Sequence, residues 1–325
     1  MILVTGATGF LGNHLLEKLA TDSNLKIRAL TRHLIKIPER YKKENIEWVE
    51  ADVLDVVALE EAMIGVEQIY HCAAKVSFEA KHYDKIMLIN VKGTANVVNL
   101  ALDAKVKKLV HVSSIASLGR TTESGLITEE TKWEDSDLNS KYAISKFLGE
   151  REVWRGMQEG LNAVIVNPSI IIGAGDWKKG SARFFYTAKN GMRFYPVGMN
   201  GFVDAKDVVN CMIQLMNSKI VNERFIINAE NYFYKDLLMD ITSALNVRQP
   251  NIKIEPWITN IAWRVSSILN KTFGTYPTLT KETANNANNV YRYSNQKIIE
   301  ALNGYQFKSI KQSVIETAAQ FKSSQ

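Results

Sequence analysis

The sequence has few cysteines, no long apolar run and no dense cluster of basic residues. Its two cysteines, Cys72 and Cys211, each lie within an apolar stretch, which favours buried free thiols in a reducing compartment over a disulfide framework. No uninterrupted apolar run reaches the length of a membrane span. A strand pattern that starts at Met1 leaves no room for a signal peptide. These absences predict a cytoplasmic protein.

The charge balance is mildly basic. The 325 residues include 40 Lys and Arg against 34 Asp and Glu, which gives a net charge of +6 and a pI near 9.0. The basic residues form no block interleaved with aromatics, so the sequence does not predict nucleic-acid binding. A preference for small anionic molecules is enough to account for the charge.

Strand patterns alternate with helix patterns through the first half of the chain. We predict strands at 2–4, 26–30, 46–50, 67–72, 108–113, 162–167 and 224–228, and helices at 10–21, 55–64, 83–104 and 139–157. Repeated units of this kind are typical of an α/β fold with a doubly wound parallel sheet. The pattern loosens after Pro168. We therefore predict a dinucleotide-binding domain at 1–168, to which the chain returns at about 202–228, and a smaller, mainly substrate-binding part within 169–325.

The stretch MILVTGATGFLG, from Met1 to Gly12, runs from an apolar strand through three glycines into a helix. Glycines let the backbone approach a ligand closely, and a helix N-terminus offers unpaired N–H groups to a pyrophosphate. The spacing differs from the commonest dinucleotide fingerprint, and an ordinary strand–turn–helix is the alternative. The predicted cofactor-binding residues here are Gly6, Thr8, Gly9, Phe10, Leu11 and Gly12.

The ends of the next strands predict the rest of the cofactor pocket. Arg32 ends the second strand, where a guanidinium can bind a 2′-phosphate, so NADP is favoured over NAD; a solvated basic loop is the alternative. After the third strand, Asp52 is placed to accept from the adenine amino group with Val53 beside the ring, although Asp52 could instead cap a helix before Asp55. The small residues of HCAAK, at Ala73 and Ala74 before Lys75, would let the chain lie against the ribose and phosphates.

A catalytic set follows the fifth strand. Ser113 and Ser114 end that strand, at the sheet edge where active sites of open α/β sheets lie. Tyr142 and Lys146 are four residues apart and share one face of a predicted helix. The pKa of a phenol is about 10, but a nearby ammonium and a positive nicotinamide ring favour the phenolate and lower that pKa. We therefore predict Tyr142 as acid or base, Ser114 as a hydrogen-bond partner of the substrate oxygen, and Lys146 as a holder of the nicotinamide ribose.

These motifs, in this order, resemble an extended short-chain dehydrogenase/reductase, a family with a Rossmann fold. The resemblance covers nearly the whole chain and is carried by TGATGFLG, EADV, HCAA, NVKGT, VSS, YAISK, VNPSIIIGAGD, GFVDAKDVV and YRYSNQKIIEALNGYQF. It implies that Pro168, Ser169 and Ile170 lie beside the nicotinamide. It also implies that Asn90 helps to order the active site, with a helix-face amide as the alternative. Members often dimerise through the helix of Tyr142 and the long helix before it, so a homodimer is possible.

Departures from the family pattern narrow the expected reaction. Dehydratases of this family usually follow the catalytic Ser or Thr with Asp and Glu, whereas Ile115 and Ala116 stand here. Epimerases typically carry Tyr where Leu118 stands, and often an acid near Arg32. The resemblance is therefore closest to the dihydroflavonol reductase and hydroxysteroid dehydrogenase branch. We predict an NADP-preferring oxidoreductase with no metal, acting on a carbonyl or secondary alcohol of a small molecule; the alternatives are an NAD-retaining sugar-nucleotide epimerase and a non-catalytic dinucleotide-binding regulatory protein.

One apolar helical pattern, WITNIAWRVSSIL at 257–269, falls outside these motifs. Its apolar positions share one helical face, which predicts packing on the core or over the substrate. Docking on a membrane surface, aided by Lys253, Arg264 and Lys271, is the less favoured alternative.

Overall fold

A computed structural model describes residues 1–37, 39–77, 82–119, 125–136, 139–254 and 287–324, without the side chains of Lys36 and Arg40. The apolar pattern at 257–269 and Lys271 lie outside the described residues. The described strands are β1 (Ile2–Thr5), β2 (Ile27–Thr31), β3 (Ile46–Glu50), β4 (Gln68–His71), β5 (Lys108–Val112), β6 (Leu126–Ile127), β7 (Ala163–Pro168), β8 (Ile170–Ile172), β9 (Phe194–Tyr195), β10 (Met199–Asp204), β11 (Glu223–Ile227), β12 (Glu230–Phe233), β13 (Ile252–Lys253) and β14 (Arg292–Tyr293).

The described helices are α1 (Phe10–Leu19), α2 (Val56–Met63), α3 (Tyr83–Met87), α4 (Gly93–Asp103), α5 (Lys141–Gln158), α6 (Arg183–Lys189), α7 (Ala205–Asn217), α8 (Tyr234–Leu245), α9 (Gln296–Ala301) and α10 (Ile310–Ser323). A turn of π-helix, Leu88–Lys92, joins α3 to α4. The chain is thus helical from Tyr83 to Asp103, as predicted for 83–104, with a π-helical turn in the middle that the sequence did not predict.

Seven strands form the central sheet, in the order β3-β2-β1-β4-β5-β7-β11, and every neighbouring pair is parallel. Alternate residues of each strand face opposite sides. On β1, Ile2 and Val4 pack in a core with α1 and α7, whereas Leu3 packs in a core with α2, α4 and α5. Helices thus cover both faces, which explains why these parallel strands read as continuous apolar runs. The predicted doubly wound parallel sheet is confirmed.

A second, smaller layer follows the last residue of β7. Strands β8, β10 and β12 form a three-stranded sheet, and a separate apolar core that includes Phe185, Phe202 and Phe321 joins it to α6, α8 and α10. Between these elements, α7 packs on the large sheet and β11 extends it, while β10 pairs with β8 and β12. The division of the chain at residue 168 stays a prediction.

Both cysteines are free thiols, with Cys211 buried and Cys72 half-buried. None of the helices within the described ranges combines the length and apolarity needed to cross a membrane.

Candidate active site

The turn after β1 is compact because its glycines have no side chains, and a Cβ at two of them would collide with backbone atoms. Gly6 adopts a left-handed φ of +66°, and a Cβ on it would lie 2.6 Å from the Ala73 nitrogen at the end of β4. A Cβ on Gly12 would lie 2.2 Å from the Gly6 carbonyl oxygen, so α1 can approach the turn only with glycine at this position. The Gly9 N–H donates to the same carbonyl at 2.8 Å, which closes the turn.

The N-terminus of α1 points its backbone groups out of this turn. Gly9 is the N-cap and supplies no side-chain acceptor, so the first-turn N–H groups keep their hydrogen-bonding capacity for a ligand. Thr8 and Gly9 are exposed, whereas the Leu11 side chain lies in the core. Leu11 can therefore contribute its backbone alone.

A loop of the smaller layer lies against this helix. A Cβ on Gly175 would come within 2.6 Å of the Phe10 ring, and the Nε2 atom of His14 lies 2.9 Å from the carbonyl oxygen of Ala174. Sequence reasoning missed the bond between His14 and Ala174 because 160 residues separate the two partners. This contact fixes the position of the second layer relative to the glycine turn.

Arg32 directly follows β2, and its side chain is exposed. The turn after it is held by a hydroxyl and a carboxylate: Thr31 Oγ1 accepts from the His33 N–H at 3.2 Å, and Glu50 accepts from the Leu34 N–H at 3.1 Å. Glu50, an exposed acid at the end of β3, is a residue that sequence reasoning missed at this part of the pocket.

The loop after β3 presents Asp52 and Val53. Asp52 Oδ1 accepts from the Leu54 N–H at 3.0 Å, and Asp55 is the N-cap of α2, accepting from the Ala58 N–H at 3.2 Å. The alternative that Asp52 caps this helix was wrong, because Asp55 occupies the capping position. Val53 is buried, and its carbonyl accepts from Asn96 Nδ2 at 2.9 Å.

Asn90 lies in the π-helical turn and is 2% exposed. Its side chain bonds both backbone groups of Lys75: Oδ1 accepts from the Lys75 N–H at 2.7 Å, and Nδ2 donates to the Lys75 carbonyl at 3.0 Å. Nδ2 also donates to Ser145 Oγ at 3.0 Å, and Ser145 in turn donates to the Tyr142 carbonyl at 2.7 Å. Asn90 thus ties the loop of Ala73, Ala74 and Lys75 to α5, and the alternative of a plain helix-face amide does not describe it.

The two serines after β5 have different environments. Ser113 is buried and donates to Glu150 at 2.8 Å. Ser114 is half-buried, and its Oγ accepts from the Ala116 N–H at 3.1 Å, which starts a short 3-10 turn over Ile115–Ser117. Of the pair, Ser114 is the one whose hydroxyl lies at the surface of the sheet edge.

Tyr142 and Lys146 begin α5, whose N-cap Ser140 accepts from the Ala143 N–H at 2.8 Å. Lys146 is 4% exposed and donates to the carbonyl of Val112, two residues before Ser114, at 2.8 Å. That bond brings the lysine to the end of β5, beside the serine. Burial lowers the pKa of the Lys146 ammonium to about 8, against the opposing influence of Glu150 and Cys72.

Two buried histidines beneath this site were not predicted. His71 on β4 and His111 on β5 are register partners, with ring centroids 5.1 Å apart. His71 lies 2.7 Å from Thr5 Oγ1 and 3.0 Å from Thr94 Oγ1, and Thr94 donates to the Asn90 carbonyl at 2.7 Å. The Thr94 hydroxyl donates its proton to the Asn90 carbonyl, so it can only accept from His71. His71 therefore donates from Nε2 to Thr94 and accepts at Nδ1 from Thr5. This chain links the end of β1 to the π-helical turn.

The three residues expected beside the nicotinamide lie where the two sheets meet. Pro168 is the last residue of β7, and Ile170 is the first residue of β8. Ser169 between them is buried, and both its N–H and its hydroxyl donate to the carbonyl of Ile227, at 3.0 and 3.3 Å.

The chain is similar to known proteins over most of its length. The NAD dependent epimerase/dehydratase family model matches residues 2–228. Sterol demethylase protein B of Methylococcus capsulatus is 28% identical over 256 residues, covering 78% of this chain and 77% of that protein. Cinnamoyl-CoA reductase 1 of Petunia hybrida is 26% identical over 337 residues, covering 98% and 90%.

Two solved structures share the fold over nearly all of the chain. The crystal structure of gox2253 is 28% identical with a TM-score of 0.83, covering 100% of this chain and 98% of that one. The dTDP-glucose 4,6-dehydratase DesIV of Streptomyces venezuelae, solved with NAD, has a TM-score of 0.80 at 19% identity, covering 99% and 97%. At that identity the second likeness shows the fold alone.

Proposed function

We propose that this chain, which belongs to the NAD dependent epimerase/dehydratase family, is an NADP-preferring oxidoreductase that transfers hydride between the nicotinamide and a carbonyl or secondary alcohol. Dependence on a nicotinamide dinucleotide follows from the family; the choice of NADP and the residue roles are our proposals. One observation supports the residue roles: Lys146, one helical turn after Tyr142, donates to the Val112 carbonyl at the end of β5, two residues before Ser114. The bond brings the Lys146 ammonium to the end of β5, which Ser114 follows, and Tyr142 lies one turn before Lys146 on the same helix.

The chain fits a bound dinucleotide at this edge. The glycine turn admits no Cβ at Gly12, the N-terminus of α1 has no side-chain cap, and Thr8 and Gly9 are exposed beside it. These features leave backbone N–H groups for a pyrophosphate. When bound, the nicotinamide supplies or takes up hydride. The residues proposed to hold the rest of the cofactor are Arg32, Asp52, Val53, Ala73, Ala74, Lys75, Asn90, Pro168, Ser169 and Ile170.

Each catalytic side chain has a proposed task. Ser114 Oγ accepts from a backbone N–H, so its own proton remains for donation to the substrate oxygen. Tyr142 gives a proton to a carbonyl oxygen during reduction, or takes one from an alcohol during oxidation. Lys146 holds its ammonium near the phenol, which favours the phenolate state, and it binds the nicotinamide ribose.

Replacing Tyr142 with Phe tests this assignment. The variant should bind NADPH as wild type does but lose about a hundred- to ten-thousand-fold in turnover, the usual contribution of acid–base catalysis. We would follow NADPH oxidation with aromatic aldehydes, ketones and acyl-CoA thioesters, the last because one relative is a cinnamoyl-CoA reductase. Tyr232→Phe is the matched control, since its hydroxyl bonds Asp240 in the smaller layer. Turnover of Tyr142→Phe within a few-fold of wild type would place proton transfer elsewhere.

The preference for NADP rests on Arg32 at the end of β2. A guanidinium facing a 2′-phosphate forms a charge-assisted contact of about 1.5–3 kcal/mol. That corresponds to an affinity difference on the order of ten- to a hundred-fold. Arg32→Asp should therefore weaken NADP binding by that factor and NAD binding little. Lys219→Asp, an exposed change between α7 and β11, controls for net charge.

Two results would contradict this cofactor proposal. One is equal affinity of the wild type for NADP and NAD with no differential loss in Arg32→Asp. The other is a tightly retained NAD in native mass spectra of the purified protein, which is expected of an epimerase. The same spectra report the oligomeric state and so test the homodimer that we propose from the family resemblance.

A further inference from the structure

Glu150 is a buried acid that the catalytic roles leave unused. It lies on α5 one turn after Lys146 and two turns after Tyr142, and it is 2% exposed. Its Oε2 atom accepts from Ser113 Oγ at 2.8 Å and from Asn167 Nδ2 at 3.1 Å, and lies 2.5 Å from Ser117 Oγ. A carboxylate removed from water requires such partners, so this cluster is built around the acid.

The partners of Glu150 hold the backbone of Ser114. Ser117 Oγ is 2.7 Å from the Ser114 carbonyl oxygen, and Asn167 Nδ2 donates to the same oxygen at 3.1 Å. Asn167 comes from β7, whereas Ser113 and Ser117 flank Ser114 after β5. One carboxylate thus connects α5, the end of β5 and the end of β7 around the serine that is proposed to bind substrate.

Glu150 also sets the charge around Lys146. The groups that act on this ammonium are Glu150 on its own helix, His71 and Cys72 from the end of β4, and His111 from β5. Burial lowers the pKa of His71 to about 3 and that of His111 well below its usual value, and it raises the pKa of the Cys72 thiol to about 12. These three groups are therefore neutral near pH 7.

The other charged side chains near α5 are either exposed, so that solvent screens them, or in contact with Glu150. Asp84, Lys85 and Lys92, on α3 and the π-helical turn, are exposed. Arg224 on β11 places its NH1 atom 3.3 Å from Glu150 Oε1, whereas Ser113 and Asn167 bond Oε2. Within the described part of the chain, Glu150 is thus the buried anion that acts on Lys146.

We propose that Glu150 is a positioning residue of the active site, which holds the Ser114 turn against β7 and stabilises the ammonium form of Lys146. The proposal rests on the proposed function of Ser114, Tyr142 and Lys146. The effect of Glu150 on the ammonium of Lys146 is a property of the protein alone, so it can be measured without substrate.

The decisive experiment follows the titration of Lys146 by NMR of ¹³C-labelled lysine side chains, assigned with Lys146→Met. In wild type the pKa of Lys146 is about 8. Glu150→Gln keeps the shape of the side chain but removes its charge, so the pKa of Lys146 should fall by about one unit or more. Ser113→Ala, which removes one hydrogen bond to Glu150 and no charge, should leave the pKa unchanged.

A second variant keeps the proposal testable if Glu150→Gln does not fold. Arg224→Gln removes the cation that pairs with Glu150 Oε1 and leaves the carboxylate in place, so the pKa of Lys146 should rise. A Lys146 titration that moves with neither substitution would overturn the proposal, whether or not the protein proves to be a reductase. With an active substrate, the alkaline limb of kcat/KM should shift in the same direction as the NMR titration, whereas a merely structural defect would lower kcat/KM at every pH.

Discussion

His111 is a core residue whose replacement by an apolar side chain should stabilise the protein. It is 1% exposed, and among the residues that the structure describes neither of its ring nitrogens has a hydrogen-bond partner. A buried donor or acceptor without a partner costs about 1–3 kcal/mol relative to its hydrated state. His111→Leu removes both nitrogens and keeps about the same side-chain volume. The free energy of unfolding at pH 7.5 should therefore be at least as high as that of wild type.

The effect should grow in acid. Burial lowers the pKa of His111 well below the ordinary 6.5, so the native state stays neutral while the unfolded chain binds a proton as the pH falls below that value. Stability is therefore lost between the unfolded and the native pKa as the pH decreases. At pH 5, which is 1.5 units below the ordinary pKa, the loss is about 2 kcal/mol at about 1.36 kcal/mol per unit. His111→Leu should recover that amount.

Urea unfolding followed by tryptophan fluorescence at pH 7.5 and pH 5 measures both effects. His71→Leu is the matched control, because the two rings are adjacent but His71 bonds Thr5 and Thr94. Since its native pKa is also lowered, to about 3, the control should recover the acid loss yet lower stability at pH 7.5 by about 1–3 kcal/mol. Equal destabilisation by both substitutions at pH 7.5 would show that the His111 nitrogens are paired and refute the reasoning.

Three further predictions concern the cofactor turn, the loop beside it and the reaction. Gly12→Ala places a Cβ 2.2 Å from the Gly6 carbonyl oxygen and should weaken NADPH binding at least about tenfold in a fluorescence titration. The control is Gly156→Ala on α5, whose Cβ would meet a Val98 methyl on α4 and should leave that affinity unchanged. Asn90→Asp puts an oxygen where Nδ2 now donates to the Lys75 carbonyl. The free energy of unfolding should fall by about 1–3 kcal/mol, which thermal unfolding measures, and Asn90→Gln is the comparison that keeps the amide. Incubation with nucleotide-linked hexoses should give no 4-keto-6-deoxy sugar by mass spectrometry, and its detection would contradict the reductase proposal.

Most of the fold could be predicted because its elements are encoded locally. Buried parallel strands such as β7 read as continuous apolar runs, and the ends of the predicted strands lie within one or two residues of those observed. The resemblance to an extended short-chain dehydrogenase/reductase is likewise confirmed by the family match. The π-helical turn at Leu88–Lys92 was missed because apolar spacing does not report a change of hydrogen-bond register over five residues.

The candidate site was predictable where its residues carry a motif and not where they act through long-range contacts. The glycine turn and Tyr142 with Lys146 are motifs of fixed spacing. Glu50 and His71 begin the EADV and HCAA stretches, but no spacing indicates what they do, since each bonds a residue from another element of the fold. Asp52 and Asp55 show a related limit: two acids in one loop are equivalent in sequence, and backbone geometry alone decides that Asp55 caps α2.

The two halves of the site also differ in what a substitution can change. The part that we propose to bind the cofactor lies on β1, α1 and β4, whose core residues are shared with the large sheet, so its geometry depends on that sheet and its helices. The loop of Gly173 to Gly175 touches α1 through Phe10 and His14, while the elements that follow it pack around a separate apolar core. Substitutions in that separate core, at Phe185 or Phe202, should therefore alter the position of the smaller layer and leave the glycine turn intact. With the smaller layer as the predicted substrate-binding part, we expect such substitutions to change substrate choice without changing the affinity for the cofactor.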